Sequence, residues 1–96
     1  MNEGHTTPAG QSVFYDLFPA AQAANLLIRA QLLDELIKVL QSRFSTQTEA
    51  AAALDVTQAR ISDLYRGKIQ RFTVDMLINL LARVGRSVEV SMKAAA

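Results

Sequence analysis

Cysteine is absent from the 96 residues of the chain. A disulfide framework and a zinc site built on thiolates are therefore excluded, and the chain is compatible with a reducing compartment such as a bacterial cytoplasm. No apolar run approaches the roughly 20 residues that a membrane-spanning helix needs. Residues 1–10 also lack the basic and apolar regions of a signal peptide. We expect a cytoplasmic protein without a membrane partner.

Groups that carry out catalysis are equally sparse. The one histidine, His5, lies among polar residues near the start of the chain, and no carboxylate pair, Ser/His/Asp set or glycine-rich phosphate loop is evident. We therefore expect no enzyme, and neither a cofactor nor a metal. Residues 1–12 contain Gly4, Pro8 and Gly10 without a hydrophobic period, which predicts a flexible tail before a single domain over residues 13–96.

Hydrophobic residues make up 50% of the sequence, which is enough for one modest core. A domain of this size buries about 60–65% of the surface that its unfolded chain exposes, so association with a partner would help to stabilise it. Charge is unevenly distributed, although the net value is only +1. Residues 1–56 carry three Lys or Arg against six Asp or Glu, whereas residues 57–96 carry seven against three. The second half of the chain is therefore the basic half.

The N-terminal half predicts one long helix. Val13, Phe14, Leu17 and Phe18 precede Pro19, which suits a first helical turn because its missing N–H would be unpaired there. We expect this apolar segment to pack on the domain or on a partner. Apolar residues then recur at steps of three and four, which predicts a helix with a broad apolar face, long enough to bend or break. Its stripe consists of Leu26, Ala30, Leu33, Ile37, Leu40 and Phe44.

Threonines mark the starts of three further helices. Thr46 with Glu49 fits a capping box before a second helix of residues 47–54. The alanines at 50–53 either let another helix approach closely or simply favour the helix. Two more threonines, each followed by a glycine that ends the helix, bound a third and a fourth helix. These pairs are Thr57 with Gly67 and Thr73 with Gly85.

Residues 86–92 alternate instead of following a helical period. Val88, Val90 and Met92 fall on one side with polar residues between them, which is the pattern of a half-buried strand. A single strand leaves its backbone groups unpaired, so it needs another strand beside it. We favour the same strand in a second copy across a two-fold axis, which makes these three residues dimer contacts; the segment near Val13 is the alternative.

The second and third helices, joined by a turn of about three residues, have the helix-turn-helix arrangement, in which the later helix enters the major groove of double-stranded DNA. Gln58 can pair with adenine, Arg60 with guanine or a phosphate, and Ala59 with a thymine methyl group. Gln47, at the start of the second helix, can bind a phosphate. The expected DNA contacts are Gln47, Thr57, Gln58, Ala59, Arg60, Ser62, Asp63, Arg66, Lys68 and Arg71.

Asp63 has two interpretations. Its carboxylate can accept a hydrogen bond from a cytosine amino group and so read a base. It can instead pair with Arg60 or Arg66 at helical spacing and adjust the local charge. The sequence leaves both open.

The stretch TQTEAAAALDVTQARISDLYRGK resembles the two-helix unit of the Xre, lambda-repressor-like helix-turn-helix family. FTVDMLINLLARVGRSVEVSM looks like the helix and terminal strand that follow this unit in the HigA-type antitoxin branch, and SVFYDLFPAAQAANLLIRAQLLDEL is similar to the lead-in of that branch. The resemblance covers residues 12–93. It implies an all-α, lambda-repressor-like bundle of four to five helices with a short C-terminal β-strand.

By position, Gln47 and Gln58 stand where members of the family place glutamines that contact DNA. Asp55 departs from the glycine that is usual in the turn, although Asp tolerates a left-handed backbone better than most residues. The family's core positions correspond to Ala51, Val56, Ile61 and Leu64. The branch implies a homodimeric repressor, encoded beside an RNase-type toxin, which binds that toxin and represses their shared promoter.

Two other functions stay open at this point. A stand-alone regulator, for instance of phage origin, shares every DNA-binding residue with an antitoxin and differs only in what residues 1–45 do. A helical interaction module that has lost DNA binding would fit the weak net charge. Against that module, residues 57–71 contain four basic residues and one acidic residue.

Overall fold

The computed structural model describes residues 19–94, and five helical elements lie within this range. The predicted tail of residues 1–12 and the apolar segment of residues 13–18 lie outside this range. The elements are helix α1 (Pro19–Arg43), helix α2 (Gln47–Leu54), helix α3 (Gln58–Tyr65), a 3₁₀ turn (Ile69–Arg71) and helix α4 (Val74–Arg83). The all-α prediction is confirmed for the described residues, and α1 is continuous rather than broken.

Threonine caps begin helices α2, α3 and α4, as predicted. The Oγ1 atoms of Thr46, Thr57 and Thr73 each accept a hydrogen bond at 3.1 Å from the backbone N–H three residues later. The Glu49 carboxylate accepts a hydrogen bond in return from the N–H of Thr46 at 3.3 Å, which completes the capping box. Such a cap contributes about 1 kcal/mol, so these three local signals determine where each helix starts.

The same three helices end in left-handed residues. Asp55, Gly67 and Gly85 have φ values of 58°, 69° and 78°. The N–H of the residue after each one donates to the carbonyl five residues earlier, at 3.0, 3.1 and 2.9 Å respectively. This is the Schellman motif, which reverses the chain and satisfies carbonyls at the helix end. Asp55 therefore adopts the conformation that glycine usually provides, and the turn between α2 and α3 is preserved.

Replacing Asp55 by glycine is expected to raise the free energy of unfolding by about 0.5–1 kcal/mol, because a left-handed backbone strains a residue that carries a Cβ. Urea unfolding followed by circular dichroism measures the change. The Asp55→Asn variant isolates the effect of removing the charge at the C-terminal end of α2. As a further control, Ala53→Gly inside α2 should cost about 1 kcal/mol. A loss of stability in both glycine variants would contradict the prediction.

The core lies between the C-terminal half of α1 and the other three helices. Helix α1 packs mainly against α4, and α2 packs against α3. Ala50 and Ala51 are buried, whereas Ala52 and Ala53 are exposed, so close packing applies to only half of the alanine run. The largest fully buried side chains are Leu36, Leu40, Leu54, Ile61, Leu64, Phe72 and Leu77.

Helix α1 extends beyond the core. Its buried residues are Leu33, Leu36, Val39 and Leu40, so no residue of its N-terminal half is buried. Leu27 and Ile28 in that half are exposed large hydrophobic residues. No helix in the described part of the chain is both long and apolar enough to span a membrane.

The predicted C-terminal strand is not formed within residues 19–94. Residues 86–94 have no regular secondary structure, and beyond Arg86 their backbone makes no hydrogen bond to the described backbone. A strand requires a second strand beside it, and the other described elements are helical. Val88 packs against the core, whereas Val90 and Met92 are 79% and 90% exposed. The strand prediction is therefore wrong for the isolated, described chain.

Candidate nucleic-acid interface

One face of α3 points away from the core. Ile61 and Leu64 are buried on the opposite side of this helix. At about 100° per residue, the remaining polar and small side chains cluster on a single arc. We call this arc the outward face of α3; it consists of Gln58, Ala59, Ser62, Asp63 and Arg66, all exposed or half-buried.

The starts of α2 and α3 meet at this face. The Gln58 amide donates a hydrogen bond from Nε2 to Oγ1 of Thr48 at 2.9 Å. The family resemblance gives Gln47 and Gln58 as DNA contacts, and Gln47 is half-buried. Thr48 was not among the predicted residues. The signal that would have identified it is the capping box at Thr46, which places Thr48 in the first turn of α2.

The two-helix unit is also tied to the rest of the domain through its backbone. Nη1 of Arg83 in α4 donates to the carbonyl of Leu54, the last residue of α2. Nη1 of Arg43 at the end of α1 donates to the carbonyl of Val84 at 2.7 Å. Arginines near helix ends satisfy carbonyls that have no partner inside the helix. The end of α2 is therefore linked to α4, and α4 in turn to the end of α1.

Arg60 lies apart from the outward face of α3. Its guanidinium lies over the Phe72 ring, 5.4 Å from the centroid, and Nη1 donates to the carbonyl of Arg71 at 3.1 Å. It also lines a shallow cavity of about 190 Å³ beside α4. Arg60 lies roughly 130° around the helix from the centre of the outward face, which explains its position. In the free chain, Arg60 connects α3 to the following loop and is not directed with the other predicted base contacts.

The segment of residues 66–73, here called the α3–α4 loop, is held at several points. Phe72 is buried in the core. Nη1 of Arg29 in α1 lies 3.3 Å from both the Ile69 and Phe72 carbonyl oxygens. With Arg60 bound to the intervening carbonyl of Arg71, two arginines from two helices fix this loop. Arg29 was not predicted from the sequence, because its partners lie about 40 residues away.

Asp63 pairs with this loop rather than along its own helix. Its Oδ2 accepts a hydrogen bond from Nη1 of Arg71 at 3.0 Å, and its Oδ1 lies 3.7 Å from Nζ of Lys68. The hydrogen bond from Arg71, more than any other interaction, lowers the pKa of the Asp63 carboxyl. The pairing with Arg60 or Arg66, one of the two interpretations left open by the sequence, is therefore not the one found among the described residues. The 3₁₀ turn brings the loop back beside α3, which helical spacing cannot reveal.

The other predicted residues occupy separate positions. Thr57 is engaged as the cap of α3, and Arg66 is exposed without an ion pair among the described residues. The predicted dimer contacts differ in exposure: Val88 is half-buried, whereas Val90 and Met92 are exposed. Within residues 19–94, no group of three or more His, Asp, Glu or Cys side chains is placed to hold a metal ion.

Comparison with known proteins agrees with this geometry. A family model described as a helix-turn-helix domain matches residues 13–93. The matched range contains α1 to α4, the α3–α4 loop and nearly all of the C-terminal segment. Among curated proteins, none matches the chain significantly. Since the model spans most of the sequence and the structure contains the two-helix unit in full, the chain belongs to this family of helix-turn-helix domains.

Proposed function

We propose that the protein is a transcriptional repressor that binds a specific double-stranded DNA sequence with α3 in the major groove. The observation that supports this function best is the outward face of α3, next to a loop whose backbone is held by arginines from α1 and α3. Rigid placement of polar side chains on a short exposed helix is what major-groove recognition requires. The family membership points to the same class of regulator.

The exposed residues divide into two roles. Gln58, Ala59 and Ser62 lie on the first turns of α3 and contact base edges, where Gln can pair with adenine and Ala can touch a thymine methyl group. Arg66, Lys68 and Arg71 lie at the end of α3 or in the α3–α4 loop and contact phosphates. Gln47 and the N-terminus of α2 add a further phosphate contact. Base contacts specify the sequence and phosphate contacts supply affinity.

The repressor acts as a homodimer. Val90 and Met92 are exposed apolar residues in a segment that alternates in polarity and has no strand beside it in the described chain. Pairing this segment with its copy across a two-fold axis would give both backbones partners and cover these side chains. Two α3 helices about 34 Å apart would then reach successive major grooves on one side of the duplex.

The protein is further proposed to be the antitoxin of a toxin–antitoxin pair. The resemblance to the HigA-type branch supports this role, which includes binding an RNase-type toxin and repressing a shared promoter. The exposed Leu27 and Ile28 on the N-terminal half of α1 provide an apolar surface for a protein partner. A stand-alone regulator is the alternative, and it would use the same DNA-binding residues. Copurification with the product of a neighbouring gene distinguishes the two.

Fluorescence anisotropy against two duplexes tests the DNA-binding function. One duplex is the DNA upstream of the gene for this protein, and the other is a scrambled duplex of equal length. We expect the upstream DNA to bind on the order of 10³-fold more tightly or better. Gln58→Ala should lower that preference by about 1–3 kcal/mol. Sedimentation of the same samples reports the dimer.

The matched control for this experiment is Gln41→Ala. Gln41 is an exposed glutamine that belongs to α1 rather than to α3. Its replacement should leave the preference unchanged. Equal affinity for the two duplexes would refute sequence-specific repression, and no binding at low salt would refute DNA binding altogether.

A further inference from the structure

Asp63 holds two of the basic side chains that the proposed function assigns to phosphate. Its Oδ2 accepts a hydrogen bond from Arg71 at 3.0 Å, while its Oδ1 lies 3.7 Å from Nζ of Lys68. Each carboxylate oxygen therefore faces a different cation. We infer that Asp63 is an intramolecular competitor of DNA phosphate, which occupies these cations in the free protein and lowers its affinity for DNA.

The ion pairs are not needed to hold the α3–α4 loop. Phe72 anchors the loop in the core, and Arg29 and Arg60 bind its carbonyls. The Arg71 side chain is 60% exposed, and ion pairs at such positions contribute little to folding stability. The main effect of the Asp63 carboxylate is therefore on the charge that this surface presents.

The position of Asp63 explains why that charge concerns DNA. The residue lies on the outward face of α3, and its side chain is only 20% exposed, whereas the side chains of Lys68 and Arg71 are more exposed. The two cations are therefore more accessible to DNA than the carboxylate is. An aspartate is ionised in the neutral range at its ordinary pKa, and the hydrogen bond from Arg71 lowers the pKa of Asp63 further. Two cations and one carboxylate present a net charge of +1, whereas the two cations alone would present +2.

Such a competitor lowers the affinity for every DNA sequence by a similar factor, because phosphate contacts carry no sequence information. Specificity is a difference between two free energies of binding, so a cost common to both duplexes leaves it unchanged. At the operator, base contacts by Gln58 and its neighbours add affinity that unrelated DNA does not provide. As the total affinity falls, DNA of unrelated sequence is therefore the first to become unoccupied. This inference rests on the proposed function and identifies Asp63 as the residue that sets the strength of phosphate binding within it.

The test compares wild type with Asp63→Asn on a duplex of random sequence and on the upstream duplex. Asparagine keeps the size of the side chain and removes its charge. Anisotropy titrations between about 50 and 200 mM salt report both the affinity and its salt dependence. For each protomer that contacts DNA, the Asp63→Asn variant should bind the random duplex roughly tenfold more tightly at 0.1 M salt. The slope of the logarithm of affinity against the logarithm of salt concentration should be steeper by about 0.9. The affinity for the upstream duplex should rise by a similar factor, so the preference for it should stay close to that of wild type.

Asp34→Asn is the matched control, because it removes the same charge and an ion pair to Lys38 at 3.2 Å on α1. Its salt dependence should equal that of wild type. Equal slopes for the two variants would overturn the inference. A loss of affinity for the upstream duplex alone would also overturn it, since Asp63 would then orient Arg71 or read a base. If wild type binds neither duplex, the proposed function fails and this inference fails with it; if wild type binds and Asp63→Asn does not respond, only the inference fails.

Discussion

Replacing Phe72 by alanine is expected to lower the free energy of unfolding by about 3–5 kcal/mol. Phe72 is 1% exposed and is among the largest fully buried side chains. Its ring also carries the Arg60 guanidinium, and its carbonyl accepts from Arg29. Alanine therefore leaves a cavity and removes the anchor of the α3–α4 loop. Small domains are stable by only about 5–15 kcal/mol, so this loss is a large part of the total.

Urea unfolding of the two proteins measures this difference, with circular dichroism as the probe and linear extrapolation to water. Phe72→Leu is the control, because leucine keeps most of the apolar volume and removes the aromatic face. It should cost about 1–1.5 kcal/mol. A Phe72→Ala variant as stable as Phe72→Leu would mean that the loop is anchored by Arg29 and Arg60 rather than by the buried ring.

Removing Arg66 and Lys68 together is expected to produce the largest loss of DNA binding. If each cation neutralises one phosphate, a dimer loses four contacts, and the log–log salt slope becomes shallower by about 3–4. At 0.1 M salt this corresponds to an affinity loss on the order of 10³-fold. Because phosphate contacts carry no sequence information, the loss should be similar for upstream and random DNA.

Anisotropy titrations of the Arg66→Ala, Lys68→Ala double variant at several salt concentrations measure this effect. A double variant of Lys38 and Arg86, both exposed, is the control for the change in net charge. It should shift the affinity only slightly and leave the slope close to that of wild type. A lower affinity at an unchanged slope would exclude Arg66 and Lys68 as phosphate contacts. The contrast with Gln58→Ala, which should alter the preference for upstream DNA, separates the two roles.

Helix boundaries were predictable because the groups that set them are neighbours in the sequence. Thr46, Thr57 and Thr73 each bind an N–H only three residues later. The left-handed residues that end the helices bind carbonyls within the preceding turns. Such contacts join residues within one or two turns, so a local sequence pattern is enough to indicate them. The two-helix unit, and with it the family, could therefore be recognised from the sequence.

The strand was predicted from the same kind of pattern and is not formed within the part of the chain that the structure describes. The alternation of Val88, Val90 and Met92 with polar residues indicates which side chains favour burial. It does not indicate whether a second strand is available for pairing. Hydrogen bonds between strands join residues that are distant in sequence or belong to another chain. Whether this segment pairs with a second strand therefore depends on assembly, and the proposed dimer would provide that strand.

By itself, the sequence determined the all-helical class and the positions of α2, α3 and α4. It also indicated the residues on the outward face of α3, although it grouped Arg60 with them. These depend on caps, helical periodicity and left-handed turns, which act over a few residues. Only the tertiary structure decided which charged groups meet. Arg29 reaches the Ile69 and Phe72 carbonyls across the core, Arg60 turns onto Phe72, and Asp63 pairs with Arg71 and Lys68. The physical reason is that long, flexible side chains take their partners from whichever elements the packed core brings within reach, and the separation of those partners along the chain leaves no local signal.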